Sequence, residues 1–198
     1  MQDRRRFVQQ AAAWLPLAAL PAMAQKHRSV AGGTVEAFHQ EILPFLDGAR
    51  EKVLSLAGAV PESKYSWRPG NGVRSVGEVY MHIASGNRLL LMFLAPTPPS
   101  GPELQKMISA GEDGEKTVTE KAKIIENLKQ SFEQVRDAVQ KASVADITRK
   151  AKFFNTETTG RGIFVVIVAH ISEHMGQSIA YARMNGIVPP WSASSGGN

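Results

Sequence analysis

The chain has no cysteine among its 198 residues. That excludes disulfides, thiolate metal ligands, a cysteine nucleophile and an N-terminal lipid-modified cysteine, so any metal must be held by nitrogen or oxygen. Long uninterrupted apolar runs near the start are missing too. Ala11 to Leu20 is broken by Pro16 and is too short to cross a bilayer as a helix. No basic run with interleaved aromatics is present, which argues against a nucleic-acid partner. The pattern offers no convincing strand pair.

The N-terminus carries a different kind of information. Residues 1–24 read as a cleaved export signal: Arg4-Arg5-Arg6 gives a charged start, Ala11 to Leu20 an apolar stretch, and Ala22-Met23-Ala24 the small residues that signal peptidase requires. The order Arg-Arg-x-Phe-Val resembles the twin-arginine signal of proteins exported already folded, with the general secretory route as the alternative. The expected location is periplasmic or secreted, with no stable membrane anchor after cleavage. Loss of three arginines and one aspartate lowers the formal charge from +5 to +3, an ordinary balance. Residues 25–33 read as a linker, 34–192 as one domain and 193–198 as a flexible tail.

Apolar spacing predicts four helices. The first runs from about Thr34 to Ala57, with Pro44 predicting a kink or a later start near Leu43. Pro61 to Arg74 reads as a loop. The second helix opens at the capping-box pattern Ser75-Val76-Gly77-Glu78 and continues to about Leu94. Residues 95–116, rich in proline and glycine, read as one long crossover connection. A third helix is predicted from Thr117-Val118-Thr119-Glu120, with a core stripe of Ile125, Leu128, Phe132, Val135 and Val139. After a polar turn at Asn155 to Gly160, the fourth runs from about Arg161 to Asn185. Gly186 fits a left-handed cap there, and Pro189-Pro190 prevents continuation. Four amphipathic helices with one long crossover predict an all-α four-helix bundle.

The chemistry-bearing residues are histidines. His170 and His174 are separated by about 40° around a helix and one turn along it, so both rings can reach one ion. Gln177 and Tyr181 fall on the same stripe, within about 20° of His170. His82 sits mid-helix in Tyr80-Met81-His82-Ile83-Ala84, where a lone histidine needs a buried partner. Two imidazoles from one helix and one from another make a three-histidine site that leaves coordination positions open for water or substrate. His39 reads as a rim residue, and His27 adjoins the cleavage site.

His170-Ile171-Ser172-Glu173-His174 also matches the His-x-x-Glu-His order of inverted zinc proteases. That motif needs a third ligand downstream, and no residue after His174 is acidic, histidine or cysteine. Glu173 and Glu78 then read either as surface and capping carboxylates or as a proton carrier and a ligand-orienting group.

At these residues the chain resembles the DinB/YfiT-like superfamily. The matching segments are Tyr65-Ser66-Trp67-Arg68-Pro69, Val73-Arg74-Ser75-Val76-Gly77-Glu78, the helix bearing His82, His170-Ile171-Ser172-Glu173-His174-Met175-Gly176-Gln177 and Tyr181 to Trp191. The resemblance implies a DinB-type bundle holding a divalent metal ion, zinc or nickel, on His82, His170 and His174. It implies no DNA polymerase. Members include thiol-dependent transferases and metal-dependent hydrolases, and this chain departs from their usual cytoplasmic setting by its export signal. The function expected is a metal-dependent hydrolase or thiol-type transferase acting on a small molecule, with Gln177, Tyr181 and Glu173 as candidate catalytic residues. The alternative is a non-catalytic bundle that binds a metal or small ligand, and a homodimer is an allowed assembly.

Overall fold

The computed structural model describes residues 34–193. The expected export signal, the expected linker with His27, and residues 194–198 of the expected tail lie outside the described residues. Seven helices and one hairpin follow in order: α1 (Val35–Ala59), α2 (Val76–Met92), α3 (Gly101–Thr117), α4 (Lys121–Lys141), α5 (Val144–Thr148), β1 (Lys150–Phe153), β2 (Thr156–Thr159), α6 (Gly160–Met184) and α7 (Pro190–Ala193). A single 3₁₀ turn, Glu62–Lys64, lies in the loop after α1.

Four of the helices form the bundle. Both α1 and α2 pack against α4 and α6, so the first two bundle helices stand diagonally across from one another. Phe38, Leu46, Val53 and Leu56 from α1, Val79, Tyr80 and Ile83 from α2, Leu128 and Phe132 from α4, and Ile163, Ile167 and Ile171 from α6 are fully removed from water. These residues recur at helical spacing on each element, and their burial is the main favourable term for the fold.

The structure corrects several expectations from the sequence. Pro44 does not start α1, which is helical from Val35 to Ala59 and runs through the proline. The proline is exposed, as is Gln40 one turn earlier, so water can satisfy the carbonyl that loses its amide partner. The connection 95–116 contains a helix, α3. Pro96, Pro98 and Pro99 precede it, and Pro102 occupies its first turn, where a missing N–H costs nothing. The third bundle helix, α4, starts at Lys121, with Glu120 as its N-cap and no side-chain cap bond; Thr117 instead ends α3. Its stripe begins on Ile124, which is buried, while Ile125 is half-buried.

A strand pair does exist. β1 and β2 are antiparallel, with Lys150 opposite Thr159 and Phe153 opposite Thr156. Strands this short are marginal alone. They are held by an aromatic cluster: Phe93 lies 5.2 Å from Phe153 and 5.6 Å from Phe154, centroid to centroid. Phe154 in the two-residue turn adopts φ 50°, a left-handed conformation that pattern reading does not expect of phenylalanine.

Two expected helix boundaries are present. The Ser75 hydroxyl accepts from the Glu78 amide at 3.2 Å, and the Glu78 carboxylate accepts from the Ser75 amide at 2.7 Å. Gly186 has φ 71° immediately past the end of α6.

Candidate metal centre

His82 projects from α2, and His170 and His174 project from α6. Their directions follow from burial of their neighbours. Ile83 and Ala84 on α2 and Ile167 and Ile171 on α6 are fully buried, which fixes the rotation of each helix and leaves the histidine face at the seam between them. Gly86, one turn after His82, makes that seam possible. An added Cβ at Gly86 would overlap the His170 ring, lying 2.9 Å from Nε2.

The three rings form a nearly equilateral set. Centroid separations are 5.1 Å for His82–His170, 4.5 Å for His82–His174 and 4.6 Å for His170–His174. One nitrogen from each ring lies within 4.8 Å of the others. The two Nε2 atoms of His82 and His170 stand 3.3 Å apart. Nitrogens sharing one tetrahedral cation at about 2.0–2.1 Å are separated by roughly 3.4 Å, so this pair is already at ligand spacing.

The outer nitrogens are largely spoken for. His82 Nδ1 donates to Glu115 Oε1 at 2.6 Å, which leaves Nε2 as a lone pair aimed at His170. Glu115 is buried and also accepts from Arg74 Nε at 2.6 Å. His174 Nδ1 donates to Gln177 Oε1 at 2.9 Å, and Gln177 Nε2 donates to the Tyr181 hydroxyl at 3.0 Å. Tyr181 is braced in turn by the edge of Trp67, 5.6 Å away. These bonds select the tautomers in which Nε2 of His82 and of His174 is free to coordinate. His170 Nδ1 is buried and has no hydrogen-bond partner among the described residues.

The electrostatics suit a cation. Burial, with His174 and His82 adding to it, pushes His170 down to about 3, and burial likewise lowers His174. His170 is therefore the neutral imidazole that a metal requires at physiological pH. Burial tends to raise Glu115, but the hydrogen bonds from His82 and Arg74 outweigh it and hold the carboxyl below its usual range. Three converging imidazoles backed by an ionised carboxylate form a donor set that a divalent cation fits, and soft thiolate-preferring ions have no ligand here.

Beside the triad lies an open cleft of about 590 Å³. Arg68, Gly72, Val73 and Arg74 form one wall, Glu112, Glu115 and Lys116 of α3 form another, and Gln177 lies at the histidine end. Glu78 faces this cleft with both oxygens engaged, one by Ser75 and one by Arg68 at 2.8 Å. Glu173, the residue before His174 on α6, is exposed and accepts no hydrogen bond from the described residues. His39 stands apart, donating to the Val139 carbonyl at 2.9 Å.

Sequence reading missed three residues here. Gly86 carried a usable signal, a mid-helix glycine one turn from His82. Arg74 sat within a quoted motif without an assigned role. Glu115 carried no signal, because it lies in a segment that reads as loop.

Comparisons with known proteins agree with this fold. The family model described as the DinB superfamily matches residues 46–178. A DinB-like protein from Bacillus cereus ATCC 10987 superposes with a TM-score of 0.61 at 16% identity, covering 79% of this chain and 96% of its own. YfiT from Bacillus subtilis, described as "a probable metal-dependent hydrolase with an unusual four-helix bundle topology", gives a TM-score of 0.59 at 14% identity, covering 81% and 93%. At these identities the likeness concerns the fold. No curated protein matches the chain.

Proposed function

Since the chain belongs to the DinB superfamily, we propose that it is a metal-dependent enzyme, a hydrolase or thiol-type transferase, acting on a small molecule at His82, His170 and His174. The observation that carries this reading is the 3.3 Å approach of two imidazole nitrogens from separate helices, with the third ring completing the triangle. A bound divalent cation, zinc or nickel by the family resemblance, since three imidazoles alone would equally accept copper or iron, would supply Lewis acidity toward water, a thiol or a substrate oxygen. Three protein ligands leave room for one further oxygen or sulfur donor, which is how catalytic sites differ from closed structural ones.

The remaining chemistry belongs to the chain's own groups. Gln177 orients His174 through Nδ1 and points its amide nitrogen at Tyr181, so the Tyr181 hydroxyl keeps its proton available for a substrate oxygen. Arg68, Arg74 and Lys116 line the approach and can hold a negatively charged portion of a substrate. Export to the periplasm or beyond stays part of the proposal, and it argues against dependence on an abundant cytoplasmic thiol.

One observation favours the second reading, a binding bundle without turnover. Of the carboxylates at or near the cleft, Glu115 and Glu78 are already committed to hydrogen bonds, and Glu112 and Glu173 are exposed with no hydrogen bond from the described residues to fix them, so no carboxylate is held in position as a proton carrier. Elemental analysis of the purified protein, followed by ester, amide and thiol-transfer substrate panels, separates the readings. One equivalent of metal with turnover in a panel supports the enzyme; one equivalent without turnover supports binding. His82→Ala and His174→Ala should each abolish stoichiometric metal. Retention by either variant removes that residue from the site, and the proposal with it.

A further inference from the structure

Helix α3 has an unusual relation to the rest of the molecule. It is 17 residues long, and its one buried residue is a carboxylate, Glu115. It contributes Leu104 to the edge of the core, packs against α2, and approaches α2 closely at Gly111, opposite Ser85. Gly101, Gly111 and Gly114 make it a poor helix on its own. A segment with so little apolar burial has a small free energy of undocking, since most helical stability in proteins comes from packing an apolar face.

What does fasten it is polar and leads straight to the histidines. Glu115 accepts from His82 Nδ1 and from Arg74 Nε, both at 2.6 Å. Arg74 belongs to the loop forming the opposite wall of the cleft. The Arg74–Glu115–His82 chain therefore joins both cleft walls to one imidazole.

We propose that Glu115 is a positioning residue that couples cation binding at His82 to docking of α3, so that loading the site orders the wall of the substrate cleft. The inference rests on the three-histidine reading above. The coupling works through the imidazole. Coordination at Nε2 withdraws electron density from the ring and makes Nδ1–H a stronger donor, which tightens its bond to the Glu115 carboxylate. That carboxylate in turn makes Nε2 a better ligand. Such coupling is reciprocal: whatever cation binding contributes to α3 docking, α3 docking contributes to cation binding. The α3 groups that line the cleft, Glu112 and Lys116, are then held more firmly in place when the site is loaded.

The test uses the purified full chain with Zn²⁺ alone as probe. Zinc affinity is measured by competition with a chromophoric chelator, the ligand field by the visible spectrum of the Co²⁺ form, and α3 order by hydrogen exchange over 101–117 with and without zinc. Exchange in α4 reports in the same samples whether the bundle is folded. Zinc should slow α3 exchange at least tenfold in the unaltered protein and leave α4 unchanged. In Glu115→Gln the effect on α3 should largely vanish, zinc should bind about 10–100-fold more weakly, and the Co²⁺ spectrum should shift. Asp113→Asn, an exposed carboxylate on the same helix, should behave as the unaltered protein. Should Glu115→Gln fail to fold, Arg74→Gln carries the test, with weaker zinc binding and partial loss of α3 protection.

Zinc-independent exchange of α3, or a Glu115→Gln protein with unaltered affinity and spectrum, would overturn the coupling while leaving the metal site intact. If the unaltered chain takes up no zinc, both the coupling and the three-histidine reading fall.

Discussion

Helices α3 and α4 are consecutive, of similar length and separated by three residues, yet they are held in opposite ways. α4 buries Ile124, Leu128, Phe132, Val135 and Val139 along one stripe and packs on both α1 and α2. α3 buries a single carboxylate and packs on α2. Apolar burial is non-directional and scales with area, so α4 is fixed by many small contributions that tolerate local change. A hydrogen-bonded charge is directional and depends on its partner, so α3 answers to what happens at His82 and Arg74. The molecule thus keeps its scaffold and its cleft wall on different kinds of interaction, which lets the wall respond while the scaffold stays fixed.

The strongest way to break this contrast is at the centre of α4. Phe132 is fully buried, and Phe132→Ala should lower unfolding stability by about 3–5 kcal/mol in urea titration. The loss should be the same with and without zinc. A cost below about 1 kcal/mol would mean that α4 is not a scaffold element. At the seam, Gly86→Ala should cost about 1–3 kcal/mol by overpacking against the His170 ring. Its larger consequence should appear on zinc addition. A ligand at 100 times its Kd stabilises the native state by about 2.7 kcal/mol, and that increment should be absent in Gly86→Ala because His170 can no longer reach its place. An undiminished zinc increment would show that His170 does not coordinate.

The same contrast explains what could be read in the sequence. The stripe of α4 was legible because burial imposes a 3.6-residue period on residue type. Even so, the reading began the stripe at Ile125 instead of Ile124, since adjacent isoleucines satisfy the period about equally. His82, His170 and His174 were legible because imidazoles among apolar neighbours demand a partner and a four-residue spacing aligns two of them. α3 was not, because it has almost no apolar period and its prolines and glycines carry the signals of a loop. Glu115 was hidden by the same circumstance: a carboxylate in an apparent loop has no assigned direction, and only the docked helix turns it toward His82. The hairpin escaped notice because Thr156–Thr159 has no apolar alternation, and its support comes from Phe93, more than fifty residues earlier in the chain.

The finest test of the contrast changes α3 without touching the site. Gly114 lies inside α3, has no atom within 4 Å of an added Cβ and lacks a left-handed conformation. Gly114→Ala should therefore favour the helix by about 0.5–1 kcal/mol, chiefly by restricting the undocked segment. If α3 docking and cation binding are linked through Glu115, part of that preference must reappear as affinity. By linkage the gain is capped at the helical contribution itself, or about two- to fivefold tighter zinc binding, with slower exchange over 101–117 before zinc is added. In a Glu115→Gln background the helix should still be favoured and the affinity gain should disappear. Tighter binding that persists there would route the effect through some contact other than Glu115, and an affinity unmoved in either background would leave α3 as a cover independent of the ion beneath it.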